Sequence, residues 1–255
     1  MKDSSEKSIS RRLPLEIIII GGLYAVYTLV RNVTEASTEV AYKHAQEIMD
    51  IEDALNINVE KSVHQFFLNH EWVLIAANYF YGSLHFIMTL FALFYVFFKD
   101  AKRYSVVRNT IVWTTLIALV GFVTYPLMPP RLLPSSFGFV DTLAKYPTFW
   151  SFNSDEFATI SNQFAAMPSV HIAWATWCVF ALFPYAKKLY IKIPLCLYPV
   201  TTLFVIVVTS NHFVLDAVGG WFVLGLGYLV SRIISSYTTR SAIDKTASLA
   251  DINAK

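Results

Sequence analysis

A chain of 255 residues that is 55% hydrophobic and only 15% charged is poorly suited to a water-exposed surface, because soluble domains carry about 25% charged residues. With 20 Phe, 14 Tyr and 6 Trp and a mean hydropathy of +0.49, the composition excludes a disordered or repeat protein and indicates an integral membrane one, whose aromatic residues suit both the span and its interfaces. The net charge is +2, and no nucleic-acid partner is expected. The two cysteines, Cys178 and Cys196, lie inside apolar runs without disulfide or metal-ligand spacing,.

In chain order, residues 1–12 form a basic tail and residues 13–234 one membrane domain, followed by a second tail over 235–255. A transmembrane helix needs about 20 mostly apolar residues, and six segments approach this. The first runs from Leu13 to Val30, entered through Pro14 at a first-turn position. A secretory signal peptide is the alternative, but the apolar run is too long and lacks a small-residue cleavage site, so a retained anchor is favoured. Glu16 is expected in that helix's first turn, complementing the dipole. From Arg31 to Glu71, the apolar positions Ala41, Ala45, Ile48 and Leu55 recur near helical spacing opposite Glu47, Asp50, Glu52 and Asp53. An outer helical segment with a solvated acidic face is expected there, with His44, His64 and His70 also solvated. The second span, Trp72 to Phe98, carries His85, read as structural glue between helices. The third, Thr110 to Met128, stops at Pro126, Pro129 and Pro130. The stretch from Pro129 to Met167 has no periodicity and reads as a lid or acceptor platform. Spans four to six are Pro168–Pro184, Ile191–Ser210 and His212–Ile234. The fold class is therefore all-α, a polytopic membrane protein with six transmembrane helices and an outer helical segment between the first two.

With both termini cytoplasmic, every inner loop is basic, and only Arg31, Lys43, Lys61, Arg131 and Lys145 of the 20 basic residues lie outside. That is the positive-inside distribution. Arg131, His171, His212 and Asp216 then fall at one depth, the extracytoplasmic face.

His212 and Asp216 are spaced i, i+4, so their side chains share a helix face. A carboxylate at the bilayer edge seeks a partner, and pairing would leave the far imidazole nitrogen free for attack. A buried pair that only joins helices has the same spacing. Pro168-Ser169-Val170-His171 opens a helix whose first-turn N–H groups form an anion site, to which Ser169 adds a hydroxyl and His171 a proton donor. Arg131, in a stiff apolar loop, has a guanidinium suited to phosphate oxygens.

These motifs, Tyr125-Pro126-Leu127-Met128-Pro129-Pro130-Arg131, Met167-Pro168-Ser169-Val170-His171 and Asn211-His212-Phe213-Val214-Leu215-Asp216, resemble the type 2 phosphatidic acid phosphatase superfamily, and most closely its inositol phosphorylceramide synthase branch. Thr124 and Leu132 stand where the lipid phosphatases have Lys and Pro, Val205 and Ile206 where they have Ser-Arg, and Val170 where Gly is usual. Two phosphate-clamping cations are thus missing, which favours a diester donor. The resemblance implies a lipid phosphotransferase working through a phosphohistidine. His212 would be the nucleophile, His171 the acid and base, Asp216 the orienting carboxylate, and Arg131 and Ser169 the phosphate-binding groups. It implies membrane lipids as substrates, a lipid or polyol acceptor, and no metal or other cofactor. Hydrolysis of a lipid phosphate or pyrophosphate is the alternative. A transporter is disfavoured because the ionisable cluster keeps to one face, and an intramembrane protease using Ser169 because a Gly-x-Ser elbow is lacking.

Overall fold

The computed structural model describes residues 2–33, 37–146, 148 and 163–253, and no strand occurs among them. The helices are α1 (Lys2–Val33), α2 (Thr38–Ala54), α3 (Glu60–Phe67), α4 (Glu71–Lys99, with a π-helical turn at Phe80–Leu84), α5 (Ala101–Thr124), α6 (Val170–Leu182), α7 (Leu189–Val208) and α8 (Val214–Asn253). Five of them contain stretches long and apolar enough to cross a bilayer: Leu13–Val30 of α1, all of α4, α5 and α7, and Val214–Tyr237 of α8. The protein is thus an all-helical, multi-span membrane protein.

The fourth expected span, α6, is only 13 residues, about 20 Å at 1.5 Å per residue against a hydrocarbon core of about 30 Å. Its surroundings explain how it stays shorter than a lipid-facing helix. It packs against α4, α5, α7 and α8, and Ile172, Ala173, Ala175, Trp177, Cys178 and Ala181 are all 0% exposed. Small residues let the neighbouring backbones approach closely. Trp177 donates from Nε1 to the Val107 carbonyl at 2.9 Å. Arg103 of α5 donates to the carbonyls of Phe180 and Ala181, satisfying the open C-terminal turn of α6 with a cation, as the helix dipole favours.

Several expected boundaries shift. The third span starts earlier, at Ala101, where Asp100 caps the helix by accepting from the Arg103 amide. It ends at Thr124 rather than near Met128, because the residue before Pro126 is driven out of the helical region. Glu16 lies well inside α1, away from its first turn; it pairs with Arg108 at 2.6 Å and accepts from the Tyr104 hydroxyl, tying α1 to α5. The long continuation of α8 to Asn253 carries its helical backbone through most of residues 235–255.

The segment between the first two long helices folds as two helices, α2 and α3, laid against the end of α7 and the start of α8. The buried stripe of α2 is Ala41, Ala45, Ile48 and then Glu52, whereas Leu55 is 58% exposed. Glu52, expected on the solvated acidic face, is therefore on the inner one. His64 of α3 was also expected to be solvated and is instead fully buried. Its Nε2 accepts from the Val140 amide at 3.0 Å, which leaves the proton on Nδ1 to donate to the Val208 carbonyl at 2.8 Å. One neutral ring so fastens the 130–146 connection to the end of α7. Burial holds its pKa below 6.5, against the upward pull of the Val208 bond.

Helices α6 and α8 touch at Gly220, where a Cβ would strike the Ser169 carbonyl. Ala is favoured over Gly in a helix by about 1 kcal/mol, so Gly225→Ala, where a Cβ meets nothing within 4 Å, is expected to raise the unfolding temperature in detergent. Gly220→Ala is expected to lower it despite the same propensity gain, since overpacking costs about 1–3 kcal/mol. Because His64 is kept neutral in the fold but titrates near 6.5 when unfolded, the unfolded chain binds the extra proton. Stability is then constant above that pH and falls as the pH drops through it. Thermal unfolding at pH 8 and pH 5 is expected to show this loss in the native protein and a smaller one in His64→Gln.

Candidate active site

His212 was expected to open the last helix but lies two residues before it, in the connection after α7, and is 4% exposed. The contact with Asp216 survives because Asp216 is the third residue of α8 and turns back over the helix start. Its Oδ2 accepts from the Phe213 amide at 3.0 Å and from His212 Nδ1 at 3.1 Å. An acid at this position bonding the cap residue's amide is half of a capping box. Here it serves a second purpose, because with Nδ1 committed to Asp216, Nε2 is the His212 nitrogen left for chemistry. Asp216 is 0% exposed, and its Oδ1 finds no partner among the described residues.

His171 is the second residue of α6, and its ring lies 5.7 Å from that of His212 between centroids. The helix start is held to α8 by the Ser169 amide, which donates to the Asp216 carbonyl at 2.9 Å. Ser169 occupies the cap position of α6 without capping it. Its hydroxyl makes no cap bond and is buried without a partner among the described residues, so it is a donor in need of an acceptor.

Arg131 lies on a single turn, Pro130–Leu132, whose backbone is fixed to the His212 connection by the Arg131 amide donating to the Ser210 carbonyl at 2.8 Å. The third segment is thus anchored two residues from the second. One arm of the guanidinium, Nη1, binds Asp141 Oδ2 at 2.7 Å, and Nε is buried without a partner among the described residues. Asp141 gave no signal of this in the sequence; its other oxygen caps the turn Thr142–Lys145.

The largest departure from the sequence reading is on α4. The π-helical turn directs Tyr81 onto His171, stacked at 4.0 Å. His85 follows, its ring 4.5 Å from His171 and stacked on Trp174 at 4.9 Å. His85 therefore borders the site, in a ring column of Tyr81, His171, His85 and Trp174. π-Helical turns often occur at functional sites, but Phe80-Tyr81-Gly82-Ser83-Leu84 carries no pattern that announces one. Close by, His44 is half-buried, stacked on Tyr125 at 4.0 Å and bonded to the Pro126 carbonyl at 2.7 Å. Burial, and then the Glu47 carboxylate, pushes the Tyr125 phenol up to about 12.

Below the ring column, a cavity of about 680 Å³ opens between α1, α4 and α5, lined by Ile20, Gly21, Tyr24, Phe86, Leu90 and Trp174 among others. A second space of about 230 Å³ shares Ile20, Gly21, Leu90 and Leu93 with it and reaches Glu16 and Tyr104. On the walls of the larger cavity, Thr115 accepts from Trp174 Nε1, Thr89 donates to the His85 carbonyl and Ser83 to that of Tyr79. The part of the expected lid or acceptor platform over residues 149–162 lies outside the described residues, as does the side chain of Arg31.

A family model described as the PAP2 superfamily matches residues 46–230, well over half of the chain and the whole of this site. No curated protein and no solved structure matches the chain. The segments that meet here, from Arg131 to Asp216, all fall within the matched region, and the chain belongs to the PAP2 superfamily.

Proposed function

We propose that the protein is a membrane phosphotransferase that moves a phosphoryl-containing group from a phospholipid to an alcohol through a phosphohistidine. The observation that carries this reading is the buried His212–Asp216 pair with the His171 ring 5.7 Å away. In the first step His212 Nε2 attacks phosphorus and the P–O bond to the departing group breaks. Protonated His171 gives its proton to that oxygen, and Asp216 stabilises the imidazolium that forms. The Ser169 hydroxyl, the first-turn amides of α6 and the free edge of Arg131 bind the nonbridging oxygens as charge develops. In the second step His171 takes the proton of an incoming hydroxyl, whose oxygen displaces His212 from phosphorus and restores the neutral ring. The steps as written use no metal.

Two features favour a diester donor. Asp141 offsets the charge of Arg131, so the site offers little net positive charge, which suits the single charge of a diester over the roughly −1.5 to −2 of a monoester. The motifs at the end of the third span and at the starts of the fourth and sixth are also those that resemble inositol phosphorylceramide synthase. The basic inner loops support six crossings, with α6 as the short one, both termini in the cytoplasm and the site on the extracytoplasmic side. The largely apolar cavity beneath the ring column supports a lipid donor, whose hydrocarbon chain would enter it from the bilayer.

Purified protein offered labelled phosphatidylinositol or phosphatidic acid, with and without acceptor alcohols, tests the reading. Acceptor-dependent product is expected; release of head group to water alone would make it a hydrolase, and no turnover of any lipid would overturn the assignment. His212→Ala is expected to abolish turnover, and His171→Ala to lower kcat at least about 10²-fold, as for general acid–base groups. Gly21 and Gly22 both have room for a side chain, with nothing within 4 Å of an added Cβ, but only Gly21 lines the cavity. Gly21→Phe is expected to raise KM for a long-chain donor several-fold relative to a short-chain one, whereas Gly22→Phe leaves that ratio unchanged.

A further inference from the structure

The first turn of α8 is held by three carboxylates, and the mechanism above uses only one of them. Phe213, Val214 and Leu215 present the amides that no carbonyl of their own helix reaches. Asp216 takes the first. Glu60 Oε1, from α3, accepts from Val214 at 2.6 Å, and Glu52 Oε1, from α2, accepts from Leu215 at 2.7 Å. Both glutamates are 0% exposed, and the second oxygen of each, Oε2, has no donor among the described residues. Two ionised carboxylates side by side, both buried and both beside Asp216, would leave like charges uncompensated. A proton between the two Oε2 atoms resolves both the unpaired oxygens and the repulsion.

We propose that Glu52 and Glu60 form one acid pair sharing a single proton, and that this pair is a positioning device: it fixes the start of α8 and, through Asp216, the setting of the His212 ring. The inference rests on the proposed reaction for its kinetic consequence but on the geometry alone for its structural one. Among the described residues neither glutamate forms an ion pair, and the carboxylates facing Glu52 are Glu60 from α3 and Asp216 from α8. Burial foremost, then the Glu60 carboxylate and finally that of Asp216, push the Glu52 carboxyl up to about 9, against the opposing Leu215 bond. Because the folded state holds this proton above the ordinary carboxyl range, the device is complete at neutral pH and fails as the pH rises through about 9,. Three neighbouring carboxylates would then crowd one helix turn with no proton among them. The outer helices thereby act on the chemistry from a distance, touching neither phosphorus nor either reacting histidine.

The test compares the native protein with Glu52→Gln and Glu52→Leu. Glutamine keeps an acceptor for the Leu215 amide and offers a permanent donor to Glu60. It is expected to keep kcat at pH 7 and to remove the loss of activity above pH 9. Leucine leaves the Leu215 amide and Glu60 Oε2 unpaired and is expected to lower kcat about 10- to 100-fold with KM little changed, as for a displaced reacting group. Hydrogen exchange reads the same device without any substrate. The protection factors of the Val214 and Leu215 amides are expected to fall above pH 9 in the native protein and to hold in Glu52→Gln, and this decides the matter should Glu52→Leu not fold. Identical alkaline behaviour of both amides in the native and glutamine proteins would overturn the inference whether or not the phosphotransfer reading stands. If exchange behaves as expected while no lipid is turned over, the acid pair stands and only the reaction fails.

Discussion

Asp216 Oδ2 makes two bonds at once, to the Phe213 amide and to His212 Nδ1, and the site depends on both. The first lets α8 begin where it does. The second fixes which imidazole nitrogen is left for reaction. Because the backbone carbonyl of the same residue receives the Ser169 amide, the start of α6 is registered against the start of α8, and His171 comes with it. One residue thus couples helix initiation, tautomer and the relation between two segments that lie more than forty residues apart in sequence.

A carboxylate so deeply buried is costly unless the surroundings are built for it. The compensation here is mostly backbone: amides at a helix start carry partial positive charge, and carboxylates from α2, α3 and α8 itself are bonded to three successive ones. Arg131 is tied by its amide to Ser210 and by its side chain to Asp141. Its Nε and the Ser169 hydroxyl are buried donors without an acceptor among the described residues. Close packing at Gly220 sustains the arrangement, because the carbonyl of Ser169 occupies the space a side chain would fill.

Much of this was legible in the sequence because membrane physics leaves few choices. Apolar length marked the long helices, and proline marked the end of α5. The His-x3-Asp spacing brought His212 to Asp216 even though the helix starts two residues later than the pattern implied, since a capping carboxylate reaches back over the same distance. What could not be read were features set by tertiary contact. Glu52 continues the stripe of Ala41, Ala45 and Ile48, but a glutamate in a stripe looks like its end. His64 resembles any surface histidine until both nitrogens find backbone partners in the 130–146 connection and α7. Tyr81 and His85 reach His171 through a π-helical turn whose five residues have no distinguishing composition. Asp141 is one acid in an aperiodic loop, and only the fold brings it to Arg131.

In the proposed reaction His212 Nε2, oriented by Asp216, is the nucleophile that attacks phosphorus. The most direct measurement is rapid acid-free quenching of the protein with a phosphorus-labelled lipid donor in the absence of acceptor, followed by peptide mapping. Label bound through an acid-labile, base-stable bond to the peptide containing His212, and absent from Asp216→Ala, is the predicted result. Label on His171 or on any other residue, or turnover with no protein-bound phosphorus at any time, would contradict it.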